Sequence, residues 1–212
     1  MKKKVCLDLI QNEKIIAIIR AENIETAVNS AKACIAGGCK IVKLTMTTPD
    51  ALEGIKILKK ENYVVGIGTV LDKESAEKAI KCNTDFIVCP HIDKKIISTA
   101  VEADVAIVPG ALTPTEIFKA HKLGADLVKI FPINALGGVS FLKSILGPFP
   151  FLKLLVTGGV NEDTFTEYLK NGAVCAGIGD SLFKKEWLKN KKFDMITEAA
   201  KKIIVKRNTL IL

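Results

Sequence analysis

Short apolar runs alternate with amphipathic segments along the whole chain. The runs IIAIIR (15–20), IVKLTM (41–46), VVGIGTV (64–70), FIVCP (86–90), AIVPGA (106–111), LVKIFP (127–132), LLVTGG (154–159) and CAGIGDS (175–181) have the length of strands. They are nearly continuous in apolar residues, as strands of a parallel sheet covered by helices must be. Helical patterns lie between them, among them ETAVNSAKACIAGG (25–38), DALEGIKILKKEN (50–62), KESAEKAIKCN (73–83), DKKIISTAVEAD (93–104), PTEIFKAHKLG (114–124) and NEDTFTEYLKNG (161–172). Several close on Gly or Asn, residues that tolerate the left-handed backbone ending many helices. Strand starts recur roughly every 20–26 residues, so the unit is a repeated βα with no linker. The pattern predicts an α/β fold of the (β/α)8 TIM-barrel class, one domain over residues 1–212, with a helix at about 2–12 ahead of the first strand. A doubly wound open sheet is the competing arrangement. Polar or special residues gather at the C-terminal ends of the runs (Arg20, Thr45, Thr69, Pro90, Pro132, Thr157, Ser181), and in a barrel those ends share one mouth.

Lysine in the middle of LVKIFP breaks an otherwise apolar strand, where a buried ammonium costs several kcal/mol unless it is neutralised or paired. Side chains alternate along a strand, so Leu127, Lys129 and Phe131 share one face and Lys129 can point into the barrel. Burial there lowers its pKa and leaves a nucleophilic amine. The competing reading is a lysine snorkelling from a strand end. The same parity in IVKLTM turns Ile41, Lys43 and Thr45 inward. Two ammonium groups in one dry cavity repel, so at least one should titrate low. An unidentified carboxylate partner for Lys43 is the alternative.

TGGV (157–160) and GIGDS (177–181) put glycines at the ends of the seventh and eighth strands, where barrels bind phosphate through backbone N–H groups and a helix N-terminus. Tight βα turns need glycine in any case. Gly158, Gly159, Gly179 and Ser181 are thus candidate phosphate ligands. GIGTV (66–70) and PGALTPTE (109–116) read as turn chemistry, although the Thr69 hydroxyl could meet a substrate carboxylate. Thr113, Pro114 and Glu116 form a helix start with a capping box. His91 and His121 lie in unrelated contexts, and neither a catalytic triad nor a metal cluster can be assembled around them.

The 212 residues, 49% hydrophobic and 25% charged, describe an ordinary globular chain. The opening MKKKVCLDLI mimics a signal peptide, but Asp8 and Gln11 break its apolar run, and no run approaches the ~18 residues of a membrane span. The six cysteines contain no C-x-x-C pair, which favours reduced, buried thiols in a cytoplasmic protein over a zinc site or disulfides. A net charge of +8 favours anionic partners. The lysines are interspersed with acids and stacking aromatics are few, so a small anionic substrate fits better than nucleic acid or a membrane surface.

The motifs IIAIIR, LTMTTPDA, GIGTVLD, FIVCP, VPGALTPTEI, VKIFP, TGGV and GIGDSL occur in an order and spacing that resemble the 2-keto-3-deoxy-6-phosphogluconate (KDPG) and 4-hydroxy-2-oxoglutarate (KHG) aldolases. These are class I aldolases on a (β/α)8 barrel. The resemblance implies a Schiff base on Lys129, keto-acid contacts from Arg20, Thr69 and Thr157, and phosphate contacts from Gly158, Gly159 and Ser181. Phe131 and Pro132 would wall the pyruvate pocket, beside Pro90 on the rim. The implied reaction cleaves KDPG to pyruvate and glyceraldehyde 3-phosphate, or the KHG analogue to pyruvate and glyoxylate, without a metal or other cofactor, in a homotrimer. One departure stands out. Where the family pattern I-E-V-T carries a general acid/base glutamate, this chain has Lys43, and an ammonium is no base until its pKa falls. Thr47 stands where some members carry arginine. Two outcomes follow: an aldolase in which a neutral Lys43 or a water moves the protons slowly, or a phosphorylated keto-acid binder that has lost efficient catalysis. Epimerase or decarboxylase chemistry would need paired carboxylates or a metal at the mouth, where the strand ends offer little beyond Asp180.

Overall fold

The computed structural model describes residues 1–210. Its strands form one parallel sheet: β1 (Ile15–Ile19), β2 (Ile41–Thr45), β3 (Val64–Gly68), β4 (Phe86–Val88), β5 (Ala106–Val108), β6 (Gly110–Ala111), β7 (Val128–Ile130), β8 (Leu154–Thr157) and β9 (Cys175–Ile178). The order is β5-β4-β3-β2-β1-β9-β8-β7-β6. Strands β5 and β6 are separated only by Pro109, which has no N–H to give the ladder, so together they are one stave and the sheet closes into eight. The expected barrel is therefore the observed one, with its fifth strand split.

Helices alternate with the staves: α2 (Ile24–Ala36), α3 (Ala51–Lys60), α4 (Lys73–Lys81), α5 (Lys94–Glu102), α6 (Pro114–Lys122), α7 (Val139–Leu146) and α8 (Phe165–Lys170). Their starts follow local chemistry. Asn23, Asp72 and Asp93 cap α2, α4 and α5 through their side chains, and α6 opens on the Thr113–Glu116 capping box with Pro114 in its first turn. Helix α8 starts later than its pattern suggested. The Asn161 carboxamide accepts from the N–H groups of Asp163 and Thr164, and that local turn occupies the first residues. A 3-10 turn at Ile133–Leu136, α7, α9 (Lys185–Lys189) and α10 (Phe193–Asn208) lie in segments for which the pattern predicted no element.

The staves' register fixes what fills the barrel. Lys43 pairs with Gly66 and Ile18, Gly68 with Val88, Gly110 with Lys129, Leu155 with Cys175 and Ile16 with Gly177. Strand tilt advances the inward residue by two for every two staves, so each interior ring draws four side chains from alternate staves. The lowest ring is Ile41, Phe86, Leu127 and Cys175; the next is Ile16, Gly66, Val108 and Leu155. Both are apolar and buried. Gly66 is obligatory, because a Cβ there would stand 2.3 Å from the Phe86 ring. Above them lie Lys43, Val88, Lys129 and Gly177, and then Ile18, Gly68, Gly110 and Thr157.

The barrel floor is stoppered by α1 (Lys3–Glu13), whose Cys6 and Ile10 join the apolar rings. Asp85 and Asp126, just ahead of the fourth and sixth staves, tie the floor by accepting from the N–H groups of Val65 and Ile107, each at 2.9 Å. Asp126 also meets Lys3 of α1 at 3.0 Å. At the other end of the chain, α10 returns to this corner: the buried Arg207 guanidinium donates to the buried Glu13 carboxylate and to the Glu13 carbonyl. Removing one partner of such a pair strands the other's charge. Arg207→Ala should therefore lower the unfolding free energy by about 3 kcal/mol in urea titrations; a change below about 1 kcal/mol would show that α10 is not anchored there.

Candidate active site

The third ring carries the chemistry. Lys43 and Lys129 stand on the second and sixth staves, opposite walls of the barrel, and reach toward one another across its axis. Both are buried, 5% and 8% exposed. Their ring has room for two long chains because the other members are Val88 and Gly177. A Cβ on Gly177 would press on Ile18 at 2.9 Å and Thr157 at 3.2 Å. The ring above leaves the amines approachable from the mouth, since Gly68 and Gly110 bring no side chain to it. Lys43 Nζ lies so close to Gly68 that a Cβ there would be 2.3 Å away.

Desolvation sets the charge state. Burial lowers Lys43 to about 7, with further lowering from the ammonium of Lys129 and the guanidinium of Arg20. Burial lowers Lys129 to about 8; the Cys89 thiol opposes that effect and Arg20 adds to it. The Lys129 ammonium lies 4.3 Å from the centroid of the Phe131 ring, which covers it on the solvent side. Cys89, on the opposite face of its stave from Val88, is buried in the core between sheet and helices, and burial pushes its thiol up to about 12, so it stays protonated. Among the described residues no carboxylate pairs with Lys43 or Lys129.

Two neighbouring spaces lie at the barrel mouth. A narrow hollow of about 10 Å³, room for roughly one water-sized group, is lined by Lys43, Lys129, Ile18, Val88, Thr157 and Gly177 among others. Ile18, Thr157 and Gly177 also line an outer cleft of about 430 Å³. Arg20, Phe131, Gly158, Gly159, Gly179, Asp180 and Ser181 complete much of its wall. Gly158 and Gly159 have φ of 92° and 77°, which only glycine adopts freely. Side chains at either would strike Pro132 at 2.8 Å or Asn134 at 2.6 Å. The Ser181 hydroxyl is buried at this cleft without a hydrogen-bond partner, an unusual deficit for a native side chain.

Most of the expected residues thus converge: Lys43, Lys129 and Thr157 on the hollow, and Arg20, Phe131, Thr157, Gly158, Gly159, Gly179 and Ser181 on the cleft. Thr69 and Pro90 stand half-buried after the third and fourth staves but line neither space. Thr69 holds a left-handed φ of 59°, strained for a β-branched residue. The turn reading of GIGTV needs correction, because Gly66 and Gly68 are strand residues whose missing side chains make room for Phe86 and Lys43. Likewise Gly110 belongs to β6. Ile18, Gly177 and Cys89 were not singled out from sequence. An isolated glycine within a strand, as at Gly177, is the signal that could have found one of them.

Inward amines with lowered pKa at the mouth of a parallel barrel are the equipment of carbon–carbon lyases that work through a lysine, and fold and site together point to that class. The KDPG and KHG aldolase family model matches residues 7–199, and the chain belongs to that family. The KHG/KDPG aldolase of Escherichia coli (strain K12) is 30% identical over 192 residues, covering 90% of each chain. The KDPG aldolase of Legionella pneumophila, solved with pyruvate captured as a covalent carbinolamine, superposes with a TM-score of 0.86 at 26% identity, over 93% of this chain and 97% of that one. The enzyme of Zymomonas mobilis ZM4, solved with 3-phosphoglycerate, gives 0.83 at 30% identity over 93% and 94%. These likenesses support an aldolase and lend nothing to the reading of a binding protein that has lost catalysis. No helix among the described residues is long and apolar enough to cross a membrane.

The lowered lysines fix a pH dependence of stability. From about 7 up to the ordinary 10.5 the unfolded chain holds the proton of Lys43 and the folded chain does not. Stability therefore rises with pH across that window, and the penalty of the buried amine is fully present below it. Lys43→Met should stabilise the fold at and below neutral pH, and the difference from wild type in denaturant midpoints should shrink toward pH 10.5. A difference independent of pH would mean that Lys43 is solvated.

Proposed function

We infer that this protein cleaves KDPG, and the shorter KHG, reversibly into pyruvate and the corresponding aldehyde, with Lys129 as the imine-forming residue. The observation that carries this is Lys129 itself, an inward, desolvated amine brought to about 8 that lines the hollow at the mouth and, among the described residues, pairs with no carboxylate. Neutral Lys129 attacks the C2 carbonyl, and loss of water from the carbinolamine gives the imine. Its positive charge draws electrons from the C3–C4 bond once the C4 hydroxyl loses its proton. The aldehyde leaves, the enamine is protonated at C3, and water releases pyruvate.

The rest of the mouth supplies binding. In this reading Arg20, on the cleft wall, pairs with the keto-acid carboxylate, Thr157 donates its hydroxyl and Phe131 forms an apolar wall, while Thr69 and Pro90, which line neither space, are given no contact. The phosphate falls to the other end of the cleft. There the left-handed Gly158–Gly159 pair, Gly179 and the unpartnered Ser181 hydroxyl offer donors to an anion. Proton transfer falls to Lys43, which is basic near neutral pH because it has been lowered to about 7. By family membership, the protein is a cytoplasmic homotrimer in this reading, and its six cysteines, all free, suit a reducing compartment.

Borohydride reduction in the presence of pyruvate should attach the three-carbon unit to the peptide containing Lys129, and Lys129→Met should abolish both the adduct and KDPG cleavage. An adduct elsewhere, or none, sinks the mechanism. General acid/base assistance is worth ~100 to 10,000-fold, and an amine serves less well than a carboxylate on this substrate. Lys43→Glu should therefore raise kcat for KDPG cleavage by about tenfold or more in buffer freed of carbon dioxide; an unchanged or lower kcat would take the proton-transfer role away from position 43.

A further inference from the structure

The barrel mouth holds more positive charge than its fold can comfortably keep. Lys43, Lys129 and Arg20 act on one another there, and no described carboxylate pairs with either lysine. The acids of the floor, Asp85 and Asp126, are held at the opposite end of the barrel by Lys59 and Lys3. Asp93, the acid near Cys89, is engaged in capping α5. Imine chemistry needs a base at this point; among the described residues the titratable groups lining the hollow are the two amines, and Asp180, on the wall of the outer cleft, does not line it.

We propose that Lys43 is a carbamylation site, at which its amine adds carbon dioxide and the resulting Nζ-carboxylate becomes the proton-transferring base of the mouth. The geometry suits this group. The Lys43 amine ends in contact with Gly68 and occupies the room that a side chain there would take. The hollow beside it and the outer cleft share Ile18, Thr157 and Gly177 as lining, so the cleft is the neighbouring space toward which an added carboxylate would extend. Lys129 from the facing wall and Arg20 from the rim supply the cations that a buried carboxylate requires. The modification turns Lys43 from a third cation beside Lys129 and Arg20 into an anion.

The step balances without any oxidant. The lone pair of the neutral Nζ attacks the carbon of CO2, and the N–C bond forms as one C=O π pair moves onto oxygen. One N–H proton then passes to water, leaving Lys43–NH–COO⁻. Only an unprotonated amine reacts, and Lys43, at about 7, meets that condition near neutral pH more fully than Lys129, at about 8. Lys129 stays free for the substrate carbonyl. The carbamate places a carboxylate where the resemblance to the aldolase family calls for glutamate. Its role as a base rests on the aldolase reading above; its formation does not.

The test uses the intact wild-type protein equilibrated with 13C-bicarbonate at neutral pH. A carbamate carbon resonance of one equivalent per chain is expected, and alkylation with triethyloxonium should leave a stable ethyl carbamate on the peptide containing Lys43. KDPG cleavage by wild type should fall about tenfold when CO2 is purged and recover on adding bicarbonate, whereas Lys43→Glu should ignore bicarbonate. Absence of the resonance and of the ethyl carbamate at saturating bicarbonate, in protein whose Lys129 still traps pyruvate with borohydride, overturns the proposal and leaves the aldolase reading standing. A carbamate on Lys43 in protein that traps no pyruvate keeps the modification and removes the imine mechanism. The labelling needs no variant, so a Lys43→Arg control that fails to fold leaves the result intact.

Discussion

A closed parallel barrel must fill its own interior with side chains, and in this molecule one of the interior rings contains two amines. That constraint organises everything around it. Below Lys43 and Lys129 the barrel is sealed by two apolar rings and by α1, so no water reaches the amines from the floor. Above them, Gly68 and Gly110 take the bulk out of the uppermost ring, and Gly177 empties a quarter of the lysines' own ring. The amines are thus dry on one side and reachable on the other. Such an environment lowers an amine's pKa while leaving a path for a small molecule. A bulkier residue at 68 or 177 would close the path, and a leakier floor would restore the charge.

Much of this was legible from the sequence. Period-two alternation in IVKLTM and LVKIFP already turned Lys43 and Lys129 inward, and the repeated βα pattern already brought the strand ends to one mouth. What the pattern could not carry was stagger between neighbouring staves. Without it, Gly66 and Gly68 look like any turn glycines, and nothing shows that Val88 and Gly177 share a ring with the lysines. Ser181 was named as a strand-end hydroxyl, but that it is buried and unpartnered is a fact of three dimensions. The Glu13–Arg207 pair joins residues at opposite ends of the chain, which periodicity does not connect. The late start of α8 reflects a side-chain turn at Asn161, a competition that an amphipathic pattern does not register.

The two ends of the cleft divide the work of recognition. Gly158, Gly159 and Ser181 offer donors to an anion at a place where glycine conformation, and not charge, makes the site. The amine end offers charge. A substrate with a carboxylate next to a ketone and a phosphate at its far end matches both in the proposed function, and its carboxylate arrives as a counter-ion for lysines that have no carboxylate partner among the described residues. Binding and neutralisation are then the same event, which favours an anionic keto acid over a neutral ketone beyond what shape alone provides.

The same electrostatics order the steps of catalysis. In the mechanism proposed above, burial lowers Lys43 to about 7 and Lys129 to about 8, so that near neutral pH a fraction of Lys129 is uncharged and able to attack. In the proposed mechanism the iminium on Lys129 is again a fixed positive charge opposite position 43, and it disfavours a second cation there. An unmodified Lys43 is therefore a reluctant proton acceptor at the moment when the C4 hydroxyl must give its proton up. A carboxylate at that position is helped by the iminium as an ammonium is hindered by it. The ring of two amines is thus well built for the first half of the reaction and poorly built for the second, unless the charge at position 43 changes sign.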